Sequence, residues 1–239
     1  MFPMNIAAMN SSPTYGYEDL ADLIQLMTGD EKHDASAHST LDVLWVLYDS
    51  VLSVDRGSIN DPMRDRLMIS KGHGPMALYA VLVAKQMMTV DELRTYGEFD
   101  SSLGWHPDRL RIQAVEISSG SLGHGLAIAI GSAYGLSLRS SSPPQVFCLL
   151  GDGELDEGSV HEAIALAARL GLGNLTAVVI DNRSSTHGWP AGIAGRFEVE
   201  GWVARTVAGR DHRALEAALC YEGSAPKTEP RVVVCEIDD

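Results

Sequence analysis

Basic side chains are scarce in this sequence: its 239 residues hold 18 Lys and Arg against 32 Asp and Glu, a formal net charge of -14. The few basic residues are scattered, so the electrostatic footprint of a nucleic-acid or anionic-membrane partner is missing. A phosphate-bearing ligand would therefore have to be held through a metal ion and backbone groups. Cysteine is scarce too. Cys148, Cys220 and Cys235 are odd in number, have no metal-type spacing and lie in apolar runs, which predicts buried thiols in a reducing compartment. Met1 to Asn10 lacks the basic flank and long apolar core of a secretory signal, and no run is long enough to span a bilayer. The expectation is a soluble cytoplasmic protein with no membrane and no nucleic-acid partner. Repeats and low-complexity tracts are absent. So is a glycine-rich fingerprint between a first strand and its helix, which leaves a nicotinamide-binding protein a distant alternative.

What remains is an ordinary globular composition, 45% hydrophobic and 21% charged, enough to bury a sizeable core. One α/β domain is expected over residues 17–239, preceded by a small, Pro-containing polar arm over residues 1–16.

The chain is organised around Gly151-Asp152-Gly153-Glu154-Leu155-Asp156-Glu157-Gly158. The apolar run Val146 to Leu150 before it reads as a buried strand, so Asp152 sits at the strand's carboxyl end. Ala163 to Leu170 follows with helical spacing. Leu175 to Ile180 is a second β-branched run, ending on Asp181-Asn182. A strand-helix-strand crossover is right-handed and returns to a parallel neighbour, so Asp152 and Asn182 should emerge at one sheet edge, where ligands of open α/β folds bind. One carboxylate and one carboxamide, with room for water and phosphate oxygens, suit magnesium. Gly151 and Gly153 permit close backbone approach there. Taken alone, a Gly-Asp-Gly is a common turn; the Asn at the next strand's tip shifts the balance towards a site.

Elsewhere, helix-period spacing begins near Tyr17 with Leu20, Leu23, Ile24 and Met27, and Leu41 to Leu52 is apolar on nearly every side, as a buried helix is. Asp65 to Ile69 reads as a short strand running into Ser70-Lys71-Gly72-His73-Gly74, with an apolar helix from Met76 to Lys85. His73, between two glycines, is poorly walled for core packing and better placed for a site loop. Thr89 to Glu92 is a capping box opening a short helix. Ser118 to Gly125 is a glycine-dense turn before the apolar helix Leu126 to Leu136, the arrangement that lets backbone approach a ligand. Trp202 to Val207 and Arg231 to Ile237 are further strands, with a helix over Leu215 to Cys220 between them. The fold class is α/β, an open, mainly parallel sheet with helices on both faces.

GDGELDEG answered by DN one strand later resembles the thiamine diphosphate motif, and the continuation into Glu162-Ala163 resembles the transketolase family. Asp65 to Gly74 resembles that family's DR-strand-SKGH segment, Gly104-Trp105-His106-Pro107-Asp108 its GHP segment, and Ser118 to Gly125 its STGSLGQG turn, with His124 for the commoner Gln. The stretch Lys32 to Asp42 matches a GHPGGSLSAAD-like segment at His33 and Asp42 but not at its glycines. Arg183 to His187 stands where the family has an apolar residue and an acid, so Thr186 would give the cofactor a more polar wall.

The resemblance implies thiamine diphosphate and Mg2+ as cofactors. It implies metal ligation by Asp152, Asn182 and the backbone carbonyl of Ser184, and cofactor contacts from His73, Gly120, Leu122, Gly151, Gly153 and Thr186. His33, His73 and His106 match histidines that bind the ketose donor or the diphosphate, and neutral imidazole suits proton shuttling near neutral pH. Glu157 and Glu162, five apart and so roughly 140° apart on a helix, match glutamates of a dimer-interface chain linking paired active sites. For Glu157 the alternative is simple complementation of a helix N-terminus. The family's activating glutamate lies in a second, pyrimidine-binding domain that the resemblance does not reach. The implied protein is the diphosphate-side subunit of a two-component transketolase, partnered by a separate C-terminal subunit in a heterotetramer and acting on ketose and aldose phosphates. A carrier-bound or non-sugar acceptor, or an inactive cofactor-binding scaffold, remain the alternatives.

Overall fold

The computed structural model describes residues 14–28, 34–185, 188–220 and 228–237. His33 and Thr186 lie outside these residues, as does most of the arm expected over residues 1–16. The centre of the fold is a five-stranded sheet in the order β1-β2-β3-β5-β4, with β1 at Arg66–Ile69, β2 at Val146–Gly151, β3 at Leu175–Asp181, β4 at Val203–Ala208 and β5 at Arg231–Glu236. Every neighbouring pair is parallel. Parallel pairing forces a crossover between successive strands, and the helices that supply these crossovers cover both faces.

The alternation of strand side chains builds two cores. Leu67, Ile69, Phe147, Leu149, Val178, Ile180, Val233 and Cys235 point into one layer, with α1 (Leu20–Gln25), α2 (Asp34–Val46), α3 (Pro75–Ala84) and α8 (His212–Leu219). Met68, Val146, Cys148, Leu150, Ala177, Val179 and Val234 point into the other, with α5 (His124–Ser137), α6 (Gly158–Leu170) and Phe197 of α7 (Gly192–Val199). All ten residues of α3 are buried, so its apolar side chains need no polar face. Pro75 opens it, where a missing N–H costs nothing.

The expected buried helix over Leu41–Leu52 is divided: α2 stops at Val46, and a π-helical turn over Leu47–Val51 releases the chain into extended backbone at Leu52. Thr89 and Glu92 close the expected capping box of α4 (Val90–Leu93), with Thr89 Oγ1 accepting from the Glu92 N–H at 3.1 Å. Two expectations need correction. Helix α7 has no strong apolar period in the sequence and was not anticipated. Cys220, expected to be buried, is exposed at the end of α8, whereas Cys148 and Cys235 are buried on opposite faces of the sheet. Among the described residues no helix is long and apolar enough to cross a membrane.

Candidate thiamine diphosphate site

The carboxyl ends of β1, β2 and β3 lie side by side because their registers run Ile69 beside Leu149 and Gly151 beside Ile180. Each strand then hands a polar residue to the same edge. After β2 the chain continues through a 3-10 turn over Gly153–Asp156, which Asp152, only 1% exposed, caps at its start. Its Oδ1 accepts from the Gly153 N–H at 2.9 Å and the Ser184 hydroxyl at 2.5 Å, and its Oδ2 accepts from the Ser185 N–H at 3.0 Å. The turn after β3 that brings Ser184 there is made by Arg183, whose φ of 58° is left-handed, with its N–H donating to Asp181 Oδ1 at 3.2 Å. The Ser184 carbonyl oxygen faces Gly153, 3.6 Å from where a Cβ would stand. Asp152, Gly153 and Ser184 therefore share one hollow, with Asn182 in the same turn. The groups the hollow itself shows are the Asp152 carboxylate and the Ser184 carbonyl. Both offer hard oxygens, suited to a magnesium ion that completes its shell with phosphate and water. Among the described residues no group of three His, Cys, Asp or Glu is placed to hold a metal by itself.

A second group of loops meets the first. His106 Nδ1 lies 2.6 Å from the Gly72 carbonyl. A carbonyl only accepts, so Nδ1 carries the hydrogen and Nε2 of the neutral ring is left as an acceptor. The His73 ring centroid is 5.9 Å from that of His106, and both side chains are exposed. Gly120 has φ 111° and lies so close under the His106 ring that a Cβ would stand 2.9 Å from its carbons. Leu122 meets Gly72 in the same way at 3.0 Å. His73, His106, Gly120 and Leu122 thus form one rim.

Glu154, 2% exposed, joins the two groups. Its Oε1 accepts from the Ser70 hydroxyl and from the Gly123 N–H, the latter at 2.8 Å, and Ser70 Oγ in turn accepts from the Gly125 N–H at 3.0 Å. Burial pushes the Glu154 carboxyl up, against the opposing pull of these hydrogen bonds. Lys71, 9% exposed, runs beneath Gly151 with Nζ donating to Thr40 Oγ1 at 2.9 Å. Burial brings its ammonium down to about 8, while the Asp152 charge holds it up. Neither Lys71 nor Glu154 was singled out from the sequence. The available signal was their position, each at or just past a strand end inside a motif.

Glu157 is the N-cap of α6; its side chain makes no capping bond and lies against Gly123. Glu162 stands further along α6, exposed and apart from the rim. The Trp189 ring, beyond the β3 turn, stacks on His161 of α6 at 4.9 Å and lies under the Arg196 guanidinium of α7 at 5.9 Å. That stack ties the chain after Ser185 to two helices.

Residues 21–237 match the family model described as transketolase, thiamine diphosphate binding domain. The chain is similar to a Rhodococcoides fascians protein named Ferredoxin fas2, 51% identical over 213 residues, which are 89% of this chain and 70% of that protein. It is 34% identical over 208 residues to an Actinobacillus succinogenes protein named as one subunit of apulose-4-phosphate transketolase, covering 84% of this chain and 74% of that one. Among solved structures, the transketolase of Leishmania mexicana superposes with a TM-score of 0.73 at 23% identity, over 94% of this chain and 37% of that chain. The Campylobacter jejuni enzyme gives 0.72 at 22% identity, over 92% and 37%. The chain thus spans little more than a third of the solved transketolases' length.

Proposed function

The chain belongs to the transketolase family, matching its thiamine diphosphate binding domain, and from that membership we propose that it is the diphosphate-side subunit of a two-component, cytoplasmic transketolase. It transfers a two-carbon ketol unit from a ketose phosphate to an aldose phosphate, together with a separate chain carrying the pyrimidine-binding domain. The observation that carries this reading is the meeting of the Asp152 turn, the β3 turn and the Gly120–Gly125 loop at one sheet edge.

Asp152, Asn182 and the Ser184 carbonyl would hold Mg2+, which would supply the positive charge for a diphosphate. Backbone groups at Gly120, Leu122, Gly151 and Gly153 would line the cofactor, and the family resemblance makes Thr186 a further cofactor contact. Bound there, thiamine diphosphate supplies an acidic thiazolium carbon and an electron sink for cleaving the bond next to a ketose carbonyl. The chain's own part is to bind, orient and move protons. His106 keeps its Nε2 as an acceptor because Nδ1 is committed to Gly72, so it can take a proton from a donor hydroxyl. His73 and His33 hydrogen-bond the donor sugar or the diphosphate. Glu157, the N-cap of α6, and Glu162, exposed further along it, would extend the site towards the partner chain. The Actinobacillus succinogenes relative, named as one subunit and similar in extent, supports a divided enzyme. A carrier-bound or non-sugar acceptor is the second reading, favoured by Arg183–Ser185, whose Ser184 and Ser185 are polar and turned onto Asp152.

Calorimetry tests the cofactor assignment. Thiamine diphosphate is expected to bind in a magnesium-dependent way and thiamine without phosphates to bind far more weakly. Equal binding of both, or binding indifferent to magnesium, removes the reading.

A further inference from the structure

Helix α3 starts beside His73 at the carboxyl edge of the sheet and, being ten residues long, ends about 15 Å away. At that far end lies a cavity of about 660 Å³, enclosed by the end of α3, the turn after it, α4, the 56–60 loop and Gln113. Its volume is that of a small-molecule site, roughly 300–1,000 Å³. None of its lining residues belongs to the cofactor edge.

The floor is apolar, made by Ile59, Val83, Met87, Met88 and Val90, and the paired methionines can adapt to a ring laid against them. The walls are fixed by their own hydrogen bonds. Asp55 Oδ1 accepts from the Ser58 N–H at 2.7 Å and Ser58 Oγ accepts from the Asp55 N–H at 2.8 Å, which closes the turn that carries Arg56. Asn60 Oδ1 accepts from Gln113 Nε2 at 2.7 Å and ties that turn to a distant part of the chain. Across the cavity, the Met87 N–H donates to the Leu82 carbonyl at 2.8 Å and so ends α3 over Gln86, whose φ of 58° is left-handed. Glycine is favoured at such a helix end; Gln86 keeps a carboxamide at the cavity wall instead.

Four charged side chains line the cavity: Arg56, Asp91, Glu92 and Arg94. Glu92 Oε2 is committed to Thr89, accepting from its N–H at 2.8 Å and its hydroxyl at 2.7 Å. Asp91 and Arg94 pair with each other at 3.3 Å. The Arg56 guanidinium is the charge left over, with no partner among the described residues. Its planar fork matches the two oxygens of a carboxylate. A phosphate dianion would call for more than one unpaired cation in a chain of net charge -14.

We propose that this cavity is a second binding site, for a small organic carboxylate with an apolar, ring-sized body. The ring lies on Ile59, Val83 and the two methionines, the carboxylate meets Arg56, and polar substituents meet the amides of Gln86, Asn60 and Gln113. The site is separate from the cofactor edge and does not depend on what binds there.

The test is calorimetric titration of 1-naphthoate into the full chain, with 1-naphthamide as the same ring without the charge. Expected is binding of 1-naphthoate below about 1 mM, tighter than that of the amide. Arg56→Met is expected to lower 1-naphthoate affinity about fivefold to tenfold, the range of a charge-assisted contact at an open site, and to leave 1-naphthamide unchanged. Ile59→Trp, at a wall residue outside both hydrophobic clusters, is expected to exclude both ligands. Arg139→Met removes a guanidinium from the surface after α5 and is expected to change nothing. No binding of 1-naphthoate, equal affinity in Arg56→Met, an equal loss in Arg139→Met, or displacement of 1-naphthoate by thiamine diphosphate with Mg2+ overturns the proposal. If Ile59→Trp unfolds, the surface variant Arg56→Met decides alone. Thiamine diphosphate with Mg2+ is expected to bind the unaltered chain and Arg56→Met equally; its failure to bind either removes the cofactor reading and leaves the present inference standing.

Discussion

The Ser185 N–H donates to Asp152 Oδ2 at 3.0 Å across 33 positions of sequence. The proposed metal ligand is thus also the clasp that fastens the turn after β3 to the turn after β2, and the Ser184 hydroxyl reinforces it on the other oxygen. Charge and shape can be separated at this position. Asp152→Asn keeps one acceptor oxygen of the two that serve its three donors and loses the charge. It is expected to stay folded, with magnesium-dependent thiamine diphosphate affinity down roughly tenfold to hundredfold, as for a lost charge-assisted contact. Asp152→Ala frees the turn as well and is expected to melt earlier in addition. Calorimetry with thermal melting of both variants checks it, and full affinity in Asp152→Asn would remove the ligand assignment.

Glu154 predicts a pH effect on stability. Because burial raises its carboxyl above the ordinary 4.5, the native chain binds this proton more tightly than the unfolded chain does. The stability gained from the neutral carboxyl is complete below the unfolded value and is lost as pH climbs through the raised native one. Glu154→Gln, neutral throughout, is expected to show a flatter stability profile above pH 4.5 and to gain on the unaltered chain as pH rises. Glu154→Ala leaves the Ser70 hydroxyl and the Gly123 N–H without their acceptor and is expected to lose about 1–3 kcal/mol. Denaturant unfolding over a pH series measures both; parallel profiles for the unaltered chain and the Gln variant would show that this carboxyl does not titrate in the native range.

Two glycines of α5 make opposite predictions. A Cβ at Gly125 would lie 2.2 Å from Ser70 Cβ and 2.9 Å from its Cα, so helix and strand end touch through that absent side chain. Gly125→Ala must separate them or break the Ser70–Glu154 link, and about 1–3 kcal/mol of destabilisation is expected. At Gly131 nothing lies within 4 Å of the added carbon. Gly131→Ala is expected to stabilise the isolated chain by about 0.5–1 kcal/mol through helix propensity. Urea unfolding of the two single variants gives the signs directly.

These residues mark how far the sequence could be read. The apolar runs at β2, β3 and β5 are continuous because both sheet faces are covered, and such runs between turn signals are legible without structure. The glycine motifs were legible for a related reason, since close contacts such as Gly120 beneath His106 tolerate no other residue. Lys71 and Glu154 were not, because a charged letter is by default a solvated one and burial depends on how three strand ends converge. Helix α7 and the exposure of Cys220 escaped as well. Only Phe197 of α7 is buried and anchors the helix, and a cysteine at the tip of α8 sits in an apolar run that ends before the core does.

The outward surface of α5 and α6 carries the last prediction. The two helices pack side by side on one face of the sheet, and their solvent side holds Ile128 and Leu138 of the α5 stretch and Leu166 and Leu170 of α6, with Leu138 70% exposed. Gly131 and Gly135 lie between the first two, leaving open backbone. A row of large apolar side chains beside bare helix is more surface than a monomer usually leaves in water. It is also the face of α6 that carries Glu162, exposed at the same spacing as Leu166 and Leu170, so an interface there would bring that glutamate to a partner. The expected outcome is that the isolated chain self-associates and transfers ketol units poorly, and that adding a chain with the pyrimidine-binding domain restores turnover in a complex of two copies of each. Leu138→Glu and Leu166→Glu, exposed in the isolated chain, are each expected to weaken that complex by more than about 1 kcal/mol, as a buried interface anchor does, while leaving thermal stability of the free chain unchanged. Sedimentation of the mixture gives the mass and the affinity. Robust turnover by the single chain, unaffected by the second protein, would show that the two-component reading is wrong.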